Sequence, residues 1–297
     1  MGALQLDPRS AVASPLHGRV VWVLATPESG ADQLLGAIGR LPGVTASPAP
    51  LHLFDQGLDA LLASWAVGPE TTRPNGMAEL VGEQDFLVAA RLLLDAPLHA
   101  LLSARRAERV VEYTADNIAF ADEVAGIYPD AHLVHVVRDG RQVAARLDFW
   151  VSAHDAASHW CADQRAVLAL DHPNVHSVRI EDYLADPVTT LGALVKSLEI
   201  DADDAAIEGA ALLGVTRGRL PSMPPGRAGS LVEVLGRDLL SHYAYEPSDA
   251  GVARARVELA VEEMVARAQE RAREGASRIV PRLTTAMRRA RGGRGRR

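Results

Sequence analysis

The sequence predicts an α/β protein, a mostly parallel sheet with helices on both faces, and three observations carry that expectation. Short β-branched runs alternate along the chain with longer stretches of helical periodicity, the pattern of successive βαβ units. Two strand-to-helix junctions share one outline, VVWVLATPESGADQLLGAIGR over 20–40 and HLVHVVRDGRQVAARL over 132–147. In each, a β-branched run passes through a small polar or glycine turn into a helix. Such a junction aims backbone N–H groups and the positive end of a helix dipole at one point, which suits an anion. The second junction also places Arg138 where its strand stops, at the carboxyl edge where open α/β sheets bind ligands. Two such sites suit a ligand with phosphates at both ends.

Taken in order, residues 1–18, rich in Pro, Ser and Ala, are expected to be a flexible arm. A first strand follows at Arg19–Leu24 and a helix over Asp32–Arg40. Residues 41–50, with two proline-marked turns, are expected to be loop. Helical periodicity returns at Phe54–Trp65, breaks in the polar gap 68–76, and resumes over Glu83–Arg106. A strand at Arg109–Tyr113 leads to a helix over 118–127, with Asp116 or Asn117 as its cap. The strand His132–Val137 feeds a helix over Gly140–Trp150, a second helix spans 155–170, and a strand runs Val175–Ile180. The helix after Asp186-Pro187, to Leu198, has proline in its first turn. Residues 214–229 form a Pro/Gly/Arg-rich loop of a length that is usually disordered or lies over a ligand, and helices at 230–242 and 252–273 follow.

Composition bounds the function. The 297 residues suffice for a sizeable core, and 48% apolar with 23% charged content is ordinary for a soluble protein. No apolar stretch reads as long enough to span a bilayer, and the first residues lack a signal peptide's basic start and apolar run. The single cysteine, Cys161, excludes an internal disulfide and reads as a small buried apolar group, so a cytoplasmic location is expected. Residues 252–297 hold 13 Arg and 5 Glu, a net of +8, which leaves −15 on the rest against the total of −7. That basic end could touch nucleic acid or, weakly, an acidic membrane surface, or be simply a terminal helix with a frayed Arg/Gly tail; the acidic body argues against nucleic acid as the central ligand.

The order of motifs resembles the bacterial sulfotransferases that use 3′-phosphoadenosine 5′-phosphosulfate (PAPS). Val137-Arg138-Asp139-Gly140-Arg141-Gln142-Val143-Ala144 is similar to that family's second junction, V-R-D-(G/P)-R-x-V-A. Pro27-Glu28-Ser29-Gly30-Ala31-Asp32 stands where its P-(R/K)-S-G-T-(T/S) loop would. Glu112-Tyr113-Thr114-Ala115-Asp116-Asn117, Tyr128-Pro129-Asp130-Ala131, residues 179–187 (RIEDYLADP) and residues 239–247 (LLSHYAYEP) follow in the family's order. The resemblance covers 19–247 and leaves the C-terminal helix and Arg/Gly tail, 248–297, outside. It implies a P-loop-like three-layer sandwich and transfer of a sulfuryl group from PAPS, without a metal, to a hydroxyl or amine of a small-molecule, glycan or lipid acceptor. Assembly as a homodimer is left open.

Carried over residue by residue, the resemblance implies that Glu28, Ser29, Gly30, Ala31, Asp32 and Gln33 present amides to the 5′-phosphosulfate. Arg138 would fork onto the 3′-phosphate, unless it pairs with Asp130 or Asp139 instead. Arg146 would take the place of a phosphate-binding serine, and Arg227 in the late loop would close over the same phosphate. Asp139 suits a helix cap, and Arg179 with Glu181-Asp182 suits pinning a strand end. His52 is the candidate base, because an imidazole titrates near neutral pH and Pro50 occupies the family's acidic position; Asp55 is second, being also a good helix cap. Glu28 and Asp32 replace a basic and a hydroxyl residue, Ala31 a threonine, and Tyr113 a lysine. Carboxylates beside an anion site repel the donor, so a degenerate fold that binds or scaffolds is the alternative reading. Trp150 and Trp160 are expected in the core, with contact to an adenine as the alternative for an aromatic near the second site, and His154 and His159 on a helix surface.

Overall fold

A computed structural model describes residues 5–61, 81–215, 226–249 and, beyond these, 251–257, 259–261 and 264. The polar gap 68–76, the end of the helix expected over Phe54–Trp65, residues 216–225 of the late loop and the Arg/Gly tail lie outside the described residues. The chain divides into two compact units, Met1–Pro247 and Ser248–Arg297.

The first unit is built on five parallel strands: β1 (Val20–Leu24), β2 (Val44–Ala46), β3 (Arg109–Tyr113), β4 (His132–Val137) and β5 (Val175–Arg179), in the spatial order β2-β3-β1-β4-β5. β1 is central and buried throughout. Side chains alternate across a strand, so Val20, Trp22 and Leu24 enter one core layer and Val21 and Val23 the other. β2 lies inside the segment expected to be loop. It is three residues long, flanked by Pro42-Gly43 and Ser47-Pro48, and such punctuation is tolerated because it is the edge strand.

Helices cover both faces. On one side pack α2 (Ala31–Ile38), α7 (Ile180–Ala185), α8 (Pro187–Ser197) and α9 (Asp204–Val215). α9 escapes a periodicity reading because it is Ala- and Gly-rich with apolar residues all round. The other side holds α3 (Glu83–Arg105), α4 (Ala121–Ile127) and α6 (Ala153–Leu168). α3 corrects the expectation that nothing here could span a bilayer: its length and composition suffice. Its stripe Phe86, Leu87, Leu94, Leu98 and Leu102 is nonetheless buried in the core.

Residues 5–18 are not a loose arm. Leu6, Ala11 and Leu16 are buried in the same layer as α3, around a short helix α1 (Pro8–Val12). Polar contacts fasten them: the Leu6 amide donates to the Gly126 carbonyl (2.8 Å), the Ser14 hydroxyl to Asp95 (2.6 Å) and the Gly18 amide to Asp130 (2.8 Å). Arg91, 3% exposed, joins both carboxylates, at 3.1 Å from Asp95 and 2.7 Å from Asp130.

α5 (Gly140–Leu147) stops short of Trp150, which lies beyond the helix and is 81% exposed, against the core position expected. Trp160 is buried as expected. The helix expected over 230–242 starts earlier and breaks at Gly236 into α10 (Gly226–Leu235) and α11 (Arg237–His242). A Cβ on Gly236 would stand 2.7 Å from the Cys161 sulfur, so glycine there lets α6 approach.

Candidate active site

All five strands point the same way, so the segments after β1, β2, β3 and β4 meet at one edge of the sheet. After β1 the chain turns through Thr26–Gly30 into α2. Gly30 (φ 85°) is the helix N-cap, and Glu28 is also left-handed (φ 68°), an uncommon and costly state for a residue with a Cβ. Two arginines hold it there. The Arg138 guanidinium donates to the Glu28 carbonyl (2.9 Å), and Arg146, from α5, pairs with the Glu28 carboxylate. The carboxylate expected to repel a donor therefore shares its charge with the cation that replaces a serine.

The loop amides are not all turned outward. The Ser29 amide donates to the Thr26 carbonyl (3.1 Å) and that of Gln33 to the Gly30 carbonyl (3.1 Å), which corrects their placement as ligand donors. The amides of Gly30, Ala31 and Asp32 stand at the N-terminus of α2, where first-turn N–H groups lack intrahelical partners. Ser29 and Gln33 side chains are buried, and Asp32 is exposed.

Arg138 is 4% exposed, and burial lowers its pKa. Of the alternative partners proposed for it, Asp130 pairs with Arg91, and Asp139 pairs with Arg141 at 2.8 Å while still acting on Arg138 through its charge. Asp139 caps α5, accepting from the Arg141 amide (2.9 Å). Arg141 also reaches Glu233 of α10 at 2.7 Å. Glu181 accepts from the Asp139 amide (3.0 Å) and from the Tyr245 hydroxyl (2.7 Å), while Arg179 lies over the Tyr245 ring at 4.5 Å. These contacts fix the strand ends as expected. Arg227 is exposed in the first turn of α10 rather than in a loop.

A second cluster faces the same edge. His52 is left-handed (φ 52°) and precedes a π-helical turn, Leu53–Leu58. Its Nδ1 lies 2.8 Å from Asp55 Oδ2, so Asp55 orients the ring instead of capping the turn. The Thr114 hydroxyl oxygen accepts from the amides of Leu51 (3.1 Å) and His52 (3.3 Å) and donates to the fully buried Glu112 (2.7 Å). Asn117 also donates to Glu112, in place of the cap expected of it. Burial pushes the Glu112 carboxyl pKa up, against these donors. Burial likewise raises the pKa of Tyr113, which stands among Ser29, Asp32, Asp116 and Glu28.

Two members of this edge were not singled out as functional by their sequence positions. Asp163 of α6 is 4% exposed, and burial pushes its pKa up to about 6, partly offset by His159 and the Thr26 hydroxyl. His159 Nε2 lies 3.5 Å from Asp163 Oδ2. Asp116, after β3, opens the 3₁₀ turn Ala115–Phe120 and bears on Asp163 through its charge. The only sign in the sequence is the His159/Asp163 spacing of four on a helix. Atoms of His52, Asp55 and Asp116 lie within 4.8 Å of one another, close enough to share a cation.

A sequence model described as "Sulfotransferase family" matches residues 33–204, more than half of the chain. The chain belongs to the sulfotransferase family. The match begins at Gln33, so the divergent loop Pro27–Asp32 precedes it, while Arg138 and Arg146 lie within. Solved sulfotransferases share this family fold at low identity. The sulfotransferase domain of the Synechococcus PCC 7002 olefin synthase is 18% identical, with a TM-score of 0.50 over 76% of this chain and 94% of that one. The sulfotransferase STF9 of Mycobacterium avium is 13% identical, with a TM-score of 0.52 over 81% of this chain and 80% of that one. No curated sequence matches the chain.

Proposed function

We propose that the chain transfers the sulfuryl group of PAPS to a hydroxyl or amine of a small-molecule, glycan or lipid acceptor. The observation that carries this reading is the convergence of Arg138 and Arg146, from separate elements, on the loop that opens α2. Two cations and the amides of Gly30, Ala31 and Asp32 meet there, matching a donor with phosphate at both ends. In the reaction the acceptor heteroatom bonds to sulfur as the sulfur–oxygen bond to the 5′-phosphate breaks. Charge grows on that phosphate oxygen and the α2 amides stabilise it, while Arg138 and Arg146 hold the 3′-phosphate.

The acceptor loses a proton. His52 takes it at Nε2, because the Asp55 carboxylate holds its Nδ1–H and stabilises the imidazolium that forms. Glu112 and Thr114 hold the backbone of Leu51 and His52, which fixes the ring's height above the sheet edge.

Titration calorimetry with 3′-phosphoadenosine 5′-phosphate, the product of the donor, tests the reading. Micromolar binding, with sulfuryl transfer from labelled PAPS to an acceptor panel, is expected. Absence of binding at millimolar nucleotide favours the binding-protein reading, in which Glu28 occupies both arginines permanently.

A further inference from the structure

A groove of about 630 Å³ lies between α2 and β2, the edge strand of the sheet, and Arg105 from the last turn of α3 also lines it. That volume is of the size that holds small ligands. α2 and its C-cap turn positions 32, 35, 36, 39 and 40 to the groove, the stripe opposite the helix's buried face. Gly36 stands within that stripe, where glycine is costly relative to alanine. Neither packing nor backbone requires it. A Cβ there would meet only Arg40 Nη1, at 3.4 Å, and the residue is not left-handed. The missing side chain leaves the groove open. Ser47, after β2, adds an independent sign. It lines the same groove and is 7% exposed, and its hydroxyl has no hydrogen-bond partner among the described residues. Buried polar groups are nearly always paired, so this is a missing interaction that an occupant of the groove can supply.

The charges of the groove have a direction. α2 runs back from the sheet's carboxyl edge and α3 ends just before β3 begins, so Arg40 and Arg105 stand together at the amino edge. Asp32 stands at the other end, in the first turn of α2, about 12 Å from Arg40 at a rise of 1.5 Å per residue. Arg40 gives one N–H to the Gly36 carbonyl, and Arg105 pairs with no carboxylate among the described residues. Each arginine also faces a helix C-terminus, which carries about half a negative charge, so that end of the groove stays net positive.

We propose that this groove seats the acceptor, an elongated small molecule with an anionic group at the end away from its reacting hydroxyl or amine. The inference rests on the sulfuryl-transfer reading, which puts the donor at the first turn of α2. With a carboxylate or phosphate between Arg40 and Arg105, such a molecule brings its other end to Asp32 and the donor loop. Guanidinium forks suit the paired oxygens of either anion, and the Ser47 hydroxyl meets a polar group along the chain. A neutral tail would leave the two guanidinium charges facing each other unrelieved. The separation of about 12 Å exceeds the screening length of about 8 Å in physiological salt, so the anion does not oppose the donor's phosphates.

The test is calorimetry on the full chain with 8-hydroxyoctanoate, 8-hydroxyoctyl phosphate and neutral 1,8-octanediol. Each is titrated with and without saturating 3′-phosphoadenosine 5′-phosphate. At least one anion is expected to bind about tenfold more tightly than the diol, and labelled PAPS should sulfate that anion in preference. Arg105→Gln, at an exposed residue outside the donor site, should weaken the anion about tenfold and leave diol and nucleotide unchanged. Gly36→Leu fills the groove while favouring the helix. It should abolish anion binding at an unchanged or higher melting temperature, with nucleotide affinity intact. Equal binding of anions and diol, or an Arg105→Gln variant that binds the anion as well as the parent, overturns the inference. So does joint binding of nucleotide and anion without transfer to the anion. Nucleotide binding without anion binding leaves the donor reading standing and removes this one. Arginine-dependent anion binding without nucleotide binding upholds the groove as an anion site and removes the donor reading.

Discussion

Glu28 and Arg146 read alone as two departures from the family pattern, one against a phosphate donor and one in its favour. Together they are an ion pair across the donor loop, and the pairing was invisible in the sequence because 118 positions separate them. The pair is partly exposed, at 28% for Arg146 and 31% for Glu28, so its contribution to folding is about 0.5–1 kcal/mol at most. Its effect on nucleotide should be larger. Arg146→Ala leaves Glu28 facing the donor uncompensated and should weaken 3′-phosphoadenosine 5′-phosphate more than the double change Glu28→Gln/Arg146→Ala does. A calorimetric double-mutant cycle without coupling would separate the pair from the site. Arg138→Ala should cost about 1.5–3 kcal/mol of nucleotide affinity, the size of charged hydrogen bonds, and an unchanged Kd would remove Arg138 from it. Arg138 was legible because it ends a β-branched run, whereas His159 and Asp163 were not, since their importance comes from Thr26 and Asp116 on other elements.

β1 and β4 announced themselves through runs of Val, Leu and His with clear turns behind them, and they position the donor loop and Arg138. β2 did not, because three residues between prolines carry no period, nor did α9, whose Ala/Gly surface has no polar side. α5 shows how an element is aimed by one atom. A Cβ on Gly140 would stand 2.5 Å from the Trp160 ring, so the helix carrying Arg146 begins only because that position is glycine. Gly140→Ala must push Trp160 or lift α5. A loss of about 1–3 kcal/mol in chemical denaturation is expected, together with weaker nucleotide binding. A variant of parental stability would mean that Trp160 has room to yield.

Across the molecule, buried titratable groups set how the fold meets acid. His132 and His135 are both pushed down to about 4 by burial, whereas the unfolded chain protonates near 6.5. Between those values the unfolded state binds more protons, so stability falls as pH drops from 6.5 to 4. Asp163 works in the opposite direction, since its raised pKa makes the native state hold a proton up to about 6. Its contribution is present below pH 3.8 and lost as pH rises through 6. Two histidines outweigh one aspartate at about 1.4 kcal/mol per unit each, so the urea midpoint should be lower at pH 4.5 than at pH 7. His135→Asn should shrink that difference, and a difference of full size would exonerate His135. The segment 5–18 belongs to the same whole. Leu16 is fully buried, and Leu16→Ala should cost about 2–5 kcal/mol by equilibrium unfolding, where an arm outside the core would show no change.

The central position of β1 has a consequence for the making of this protein. Its pairing partners are Val110–Tyr113 on one side and His132–His135 on the other, so the strand VVWVL has no neighbour in the sheet until some 90 residues more have been synthesised (Val20 pairs with Val110). At ordinary ribosomal rates of about 5–20 residues per second, that interval is on the order of 5–20 s. Throughout it, five consecutive apolar residues with high β-propensity leave the ribosome unpaired, the kind of segment that chaperones cover and that aggregates when they do not.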